Sequence, residues 1–174
     1  MPRTPRRPRN RRPRRRSRRG RRSCARAPNA ILSTREIVLD GQGAFEAFAR
    51  DFARSLRPGD VVALRGPLGA GKTTFVRAVV AALHGSDDAV SSPTFVFRQR
   101  YDGVPPVEHV DLYRIEDPPA EMPDLALDDV FGGDAIALVE WPERAPGWLP
   151  PDRIEVAIEG VGEGPRTVRV GRPG

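Results

Sequence analysis

Val61-Val62-Ala63-Leu64-Arg65-Gly66-Pro67-Leu68-Gly69-Ala70-Gly71-Lys72-Thr73-Thr74-Phe75 is the stretch on which the reading of this chain turns. Val61 to Leu64 is a short apolar run of the buried-strand type. Gly66 to Thr73 then matches G-x-x-x-x-G-K-[ST] in full. Phe75, Val76, Val79, Val80 and Leu83 continue at helical spacing, and Gly85 after His84 supplies a C-terminal cap. Strand, glycine loop and helix is the order that a phosphate-binding loop requires. Glycines let backbone N–H groups approach phosphate oxygens. Lys72 sets one charge against the β and γ phosphates, and Thr73 offers a hydroxyl to Mg2+. The helix turns its positive end toward the anion. Gly66, Leu68, Gly69, Ala70, Gly71, Lys72, Thr73 and Thr74 are therefore the expected nucleotide-binding residues. Lys72 is also the only lysine in the 174-residue chain.

Outward from the loop, strand and helix signals alternate. Glu36 to Leu39 is β-like, and Phe45, Phe48, Ala49, Phe52 and Leu56 predict an amphipathic helix over residues 43–56. Arg57-Pro58-Gly59-Asp60 reads as a turn. Beyond the loop, Thr94 to Tyr101 and Val107 to Asp111 read as strands, as do Ile136 to Val139, Ile154 to Ile158 and Thr167 to Val170. Residues 118–131, with Pro118, Pro119 and Pro123, read as helical or irregular. This is the grammar of an α/β P-loop fold: one domain, a mostly parallel but mixed sheet, and helices on its faces.

Charge divides the chain in two. Residues 1–28 hold 14 arginines and no Asp or Glu, so residues 29–174 carry 15 basic and 23 acidic side chains, a formal −8. The pI near 10.7 is thus a property of the tail, and the domain over 29–174 is acidic. Residues 1–28 are expected to be disordered, since they bury nothing that offsets ordering entropy and their charges repel. They read either as a non-specific RNA-binding arm or, preferably, as the product of a start assigned upstream of the real one. Cys24 is the single cysteine, which fits a reducing compartment. With no apolar run long enough to span a bilayer and no hydrophobic centre for a signal peptide, the expectation is a soluble cytoplasmic protein without membrane contact.

A hydrolytic phosphate-loop site needs acidic residues near the metal and a group that orients water. Asp111 and Glu140 each stand at the carboxyl end of an expected strand, where ligands bind in open α/β sheets. Lys72, Asp111 and Glu140 are the expected catalytic residues. The guanine-reading element Asn-Lys-x-Asp cannot exist here, because no Asn follows Asn29 and Lys72 stands alone; ATP is the expected nucleotide. His109 reads as packed on its strand rather than catalytic. For Ser92-Pro93-Thr94 a γ-phosphate sensor and a simple turn stay open, and for Trp141 and Trp148 a lid, a partner contact and a core edge do.

Four ordered blocks give the chain a resemblance. They are Gly69-Ala70-Gly71-Lys72-Thr73-Thr74-Phe75, Ser92-Pro93-Thr94-Phe95, His109-Val110-Asp111-Leu112-Tyr113-Arg114, and Leu138-Val139-Glu140-Trp141-Pro142-Glu143-Arg144. Over about residues 36–170 the sequence resembles the bacterial TsaE (YjeE) family, small ATPases of tRNA threonylcarbamoyladenosine biosynthesis. The resemblance implies that Thr73 and Glu140 hold Mg2+, that Asp111 supports the metal and its water, and that Thr94 joins the nucleotide site from a switch-like loop. It also implies that ATP hydrolysis serves the partners TsaB and TsaD, which modify adenosine 37 of tRNA, so that contact with tRNA is indirect. The chain departs from the family pattern at Pro67, which removes a backbone donor, and at Ala126, where a glycine is usual. Two other readings compete: a small-molecule kinase on the same scaffold, and a nucleotide-dependent RNA-binding protein acting through the tail. Arg114 is the only basic side chain in residues 102–135, which weighs against the arginine-bearing lid that such kinases carry.

Overall fold

The apolar run before the glycine loop lies at the middle of a seven-stranded sheet in the computed structural model, which describes residues 34–86, 90 and 97–173. The strands are β1 (Arg35–Leu39), β2 (Val61–Arg65), β3 (Arg98–Tyr101), β4 (Val107–Asp111), β5 (Ile136–Glu140), β6 (Ile154–Glu159) and β7 (Arg166–Gly171). They lie in the order β1-β7-β6-β2-β5-β4-β3. The central four, β6, β2, β5 and β4, are mutually parallel, while β7 and β3 run antiparallel to their neighbours. The expected mixed, mostly parallel sheet in one domain is the one found. Burial on both faces explains why β2 and β5 read as unbroken apolar runs rather than alternating ones.

Two helices, α1 (Gly41–Ala53) and α2 (Lys72–His84), cover one face. Phe45 and Phe52 pack on Phe75 there, with ring centroids 6.0 and 5.5 Å from its own, over Val62 and Leu64 of β2 and Ile136 and Leu138 of β5. Short pieces cover the other face: α3 (Pro118–Glu121), a 3-10 turn over Met122–Leu125, α4 (Leu127–Val130) and a 3-10 turn over Pro142–Arg144. They bury Leu112, Ile115, Met122 and Val130 against Ala63, Ala137 and Val139. The prolines that blurred residues 118–131 explain this: each lacks an N–H donor, so the segment breaks into single turns.

Two boundaries differ from expectation. The first helix starts at Gly41 and stops at Ala53 rather than spanning 43–56; Ser55 and Leu56 donate their N–H groups to Phe52 and Ala53 in closing turns, and Leu56 still reaches the core. Helical spacing therefore outlasts the helix itself. The strand expected from Thr94 is described from Arg98; residues 94–96, with Thr94 and its proposed switch, and the tail over 1–28 lie outside the described residues. Ala126 adopts φ 47°, ψ 45°, the left-handed region that the usual glycine would enter without cost.

Candidate nucleotide site

The loop leaves the end of β2 and folds back under α2. Gly66, at φ 148°, has no room for a side chain, because a Cβ there would overlap the carbonyl oxygen of Ile158 on β6. Gly71, at φ 100°, caps α2, and a Cβ on it would sit 3.2 Å from a ring carbon of Phe45. The Phe75 N–H donates to Gly71 O at 2.8 Å, the first α-helical bond, so helix geometry gives the N–H groups of Lys72, Thr73 and Thr74 no intrahelical acceptor. Beside them opens a cleft of about 350 Å³ lined by Leu68, Gly69, Gly71, Asp111, Glu140 and Trp141, among others.

Parallel pairing sets the acidic side of the cleft. Asp111 stands opposite Glu140 in the ladder between β4 and β5, and both project from the face that carries α2. Glu140 is buried and accepts a hydrogen bond from the Thr73 hydroxyl at 2.9 Å. His109, fully buried two residues before Asp111, faces the same carboxylate oxygen through Nε2 at 2.9 Å. A carboxylate offers only acceptors here, so Nε2 carries the proton. The Tyr101 hydroxyl lies 3.5 Å from the imidazole Nδ1, and burial, with the field of Glu140 added, pushes its pKa up. The result is a buried line from Tyr101 through His109 and Glu140 to Thr73.

Lys72 is 5% exposed. Its ammonium donates to Gly66 O at 2.7 Å and Pro67 O at 2.9 Å, and it lies 3.7 Å from the centroid of the Trp141 ring. Burial pushes its pKa down, while Glu140, Glu143 and Asp111 pull it back up. Trp141 reaches this position from a left-handed backbone, φ 57°, a conformation that costs a residue with a side chain about 1–2 kcal/mol. Strain of this kind immediately after Glu140 bends the chain so that the indole covers the lysine, where Tyr113 packs on it at 4.9 Å.

Comparison with known proteins adds identity to this geometry. The model of the family described as "Threonylcarbamoyl adenosine biosynthesis protein TsaE" matches residues 39–168. The chain belongs to the TsaE family. It is similar to the TsaE of Bacillus subtilis, 42% identical over 124 residues that cover 71% of this chain and 76% of that protein. It also resembles the TsaE of Aquifex aeolicus, 37% identical over 140 residues, 79% of this chain and 96% of that one. Among solved structures it resembles the crystal structure of Bacillus subtilis YdiB, with TM-score 0.66, 30% identity, and coverage of 83% of this chain and 88% of that one.

In this TsaE-family chain most of the residues expected at the site meet at one cleft. Leu68, Gly69, Gly71, Lys72, Thr73, Thr74, Asp111 and Glu140 line it. Gly66 and Ala70 shape it from behind: Ala70 is fully buried, and its N–H donates to Pro67 O at 3.2 Å. Residue 67 thus still serves the loop through its carbonyl although proline removed its N–H. His109 packs on its strand as expected and touches Glu140 as well, which periodicity could not reveal. Trp141 turns out to be both a core edge, on the cluster around Val139, and a cover for Lys72; Trp148 is 41% exposed. Arg166, at the start of β7, donates from Nε to Ala70 O at 3.1 Å, and no motif in the sequence marks it.

The oxygen donors suit Mg2+. Thr73 and Glu140 already hold each other at ligand-pair range, and Asp111 is the neighbour of Glu140 in the ladder. Mg2+ is bound through one or two carboxylates together with substrate phosphates and water. No group of three or more His, Cys, Asp or Glu side chains forms a cage among the described residues, so such an ion would take further oxygens from nucleotide and water. Also among the described residues, no helix is long and apolar enough to cross a membrane.

Proposed function

We propose that this chain binds Mg-ATP and hydrolyses it as the accessory ATPase of tRNA threonylcarbamoyladenosine formation, acting on the TsaB–TsaD pair in the cytoplasm. The observation that carries the reading is the convergence of the loop, Thr73, Glu140 and Asp111 on one cleft at the carboxyl ends of parallel strands. The N–H groups at the start of α2 would bind the phosphates, and Lys72, with two of its three donors on loop carbonyls, would give the remaining one to the β and γ oxygens. Thr73 and Glu140 would hold Mg2+, with Asp111 in support; the ion, when bound, neutralises charge on the phosphates. Asp111 is the better placed to orient the attacking water, since it is less buried than Glu140 and receives the Tyr113 N–H at 3.0 Å. Thr94 would join from its loop. Residues 29–174 would form the ATPase domain, with tRNA reached only through the partners.

The test is phosphate release from ATP by the full chain, alone and with an active TsaB–TsaD pair. Slow turnover that the pair raises, and that Lys72→Ala abolishes, is the expected result. An active pair that raises nothing would sink the accessory reading and direct attention to a small acceptor molecule. Removal of residues 1–28 should leave both rates unchanged.

A further inference from the structure

We infer that Arg166 is a positioning residue for the phosphate loop: from β7 it fixes the Ala70–Gly71 peptide so that the Gly71 N–H faces the nucleotide. The inference rests on the nucleotide reading above. The guanidinium is 94 residues beyond Lys72 in sequence, yet it is almost fully buried directly behind the loop, at 6% exposure. Its Nε donates to Ala70 O at 3.1 Å, Nη2 to Gly162 O at 2.5 Å and Nη1 to Gly164 O at 3.5 Å. Phe45 packs under it, with the ring centroid 5.1 Å from Cζ, and the same ring fills the space beside Gly71. Arg166, Phe45 and Gly71 are therefore one packed unit on the side of the loop away from the cleft.

A trans peptide is planar, so the C=O of Ala70 and the N–H of Gly71 point in opposite directions. Whatever holds the carbonyl back aims the N–H forward. The peptide needs such a hold, because Gly71, on its C-terminal side, has positive φ, and a glycine lets φ change sign at small steric cost. Rotated, it would present a carbonyl oxygen to the phosphates. Arg166 opposes that rotation with a charged donor. All three of these bonds go to neutral carbonyls, so the positive charge is not cancelled by them and adds to the field behind the anion. Polarising the carbonyl also strengthens the N–H as a donor.

Nucleotide affinity of the full chain, with wild type beside Arg166→Met and Arg166→Lys, tests the inference by calorimetry with Mg-ADP and Mg-ATP. The companion readout is the 15N–1H resonance of Gly71 in the ligand-free proteins. Arg166→Met should bind both nucleotides about tenfold more weakly, the scale of one charge-assisted hydrogen bond. Arg166→Lys should fall between it and wild type, and the Gly71 resonance should move in both variants. Unchanged affinity in Arg166→Met, or weaker binding with the Gly71 resonance unmoved, overturns the inference. Should Arg166→Met fail to fold, the same two outcomes are read from Arg166→Lys. A wild type that binds no nucleotide would sink the reading of the cleft itself, and the Gly71 resonance would then decide the role of Arg166 alone.

Discussion

Glu140 and Glu108 are both buried glutamates on neighbouring strands of one sheet, at 3% and 1% exposure, and they are satisfied in opposite ways. Glu108 meets two cations: Arg98 Nε at 3.0 Å and Arg100 Nη1 at 2.8 Å. Burial alone would raise its pKa, but the arginine hydrogen bonds outweigh that and hold it below the usual value. Glu140 meets a hydroxyl and an imidazole, neither of which must bring a positive charge. One carboxylate is bonded to its counter-ions; the other is bonded to none, though the Lys72 ammonium lies in its field, and in the function proposed above its oxygens serve an incoming cation. The difference separates a structural acid from the proposed metal ligand more sharply than burial does.

The largest effect should come from Glu140. Replacing it by Ala should lower ATP turnover by roughly a hundredfold or more and remove the Mg2+ dependence of nucleotide binding, as loss of a metal ligand does; Glu108→Gln should leave turnover within about twofold of wild type. Equal losses in the two variants would erase the distinction. His109→Phe should weaken Mg2+-dependent nucleotide binding roughly ten- to hundredfold, the usual range for a group that orients a metal ligand, with metal-free binding unchanged. In Glu108→Ala, urea unfolding should show a loss of about 2 kcal/mol. That is less than the 3–5 kcal/mol of a fully buried broken pair, because Arg98 and Arg100 are 32% and 44% exposed and can regain water.

A pH titration sharpens the same contrast. The folded-state pKa of Glu108 lies below its usual 4.5, so the stability it contributes is complete above that value and is lost as pH falls through the folded one. The stability difference between wild type and Glu108→Gln should therefore be flat near neutrality and shrink below about pH 4.5. The smallest effect belongs to a site remote from both acids. Ala126→Gly should stabilise the chain by about 0.5–1 kcal/mol, because glycine relieves the left-handed backbone and gives back part of the gain as chain entropy.

What the sequence disclosed about these two glutamates follows from distance along the chain. The glycine loop could be read in full because strand, loop and helix are contiguous, and Asp111 and Glu140 could be found because each ends a strand-like segment. Glu108 offered nothing, since its arginines are recognised only once β3 and β4 pair. The bond between His109 and Glu140 depends on the β4–β5 register, and that of Arg166 with Ala70 spans 96 residues; neither has a local pattern. Trp141 could be placed beside Glu140 but not over Lys72, because its left-handed backbone is not a preference of tryptophan.

The carbonyl of Ile158 that crowds Gly66, and the guanidinium that grips Ala70, both come from the last two strands. During synthesis the glycine motif leaves the ribosome well before either. At roughly 5–20 residues per second, the 96 residues from Ala70 to Arg166 take about 5 to 20 seconds. For that interval the nascent chain carries the whole motif without the wall it is built against. A chain that stops short of β6 carries an intact motif and no finished phosphate cradle, so competence to hold nucleotide requires that β6 and β7 have been made.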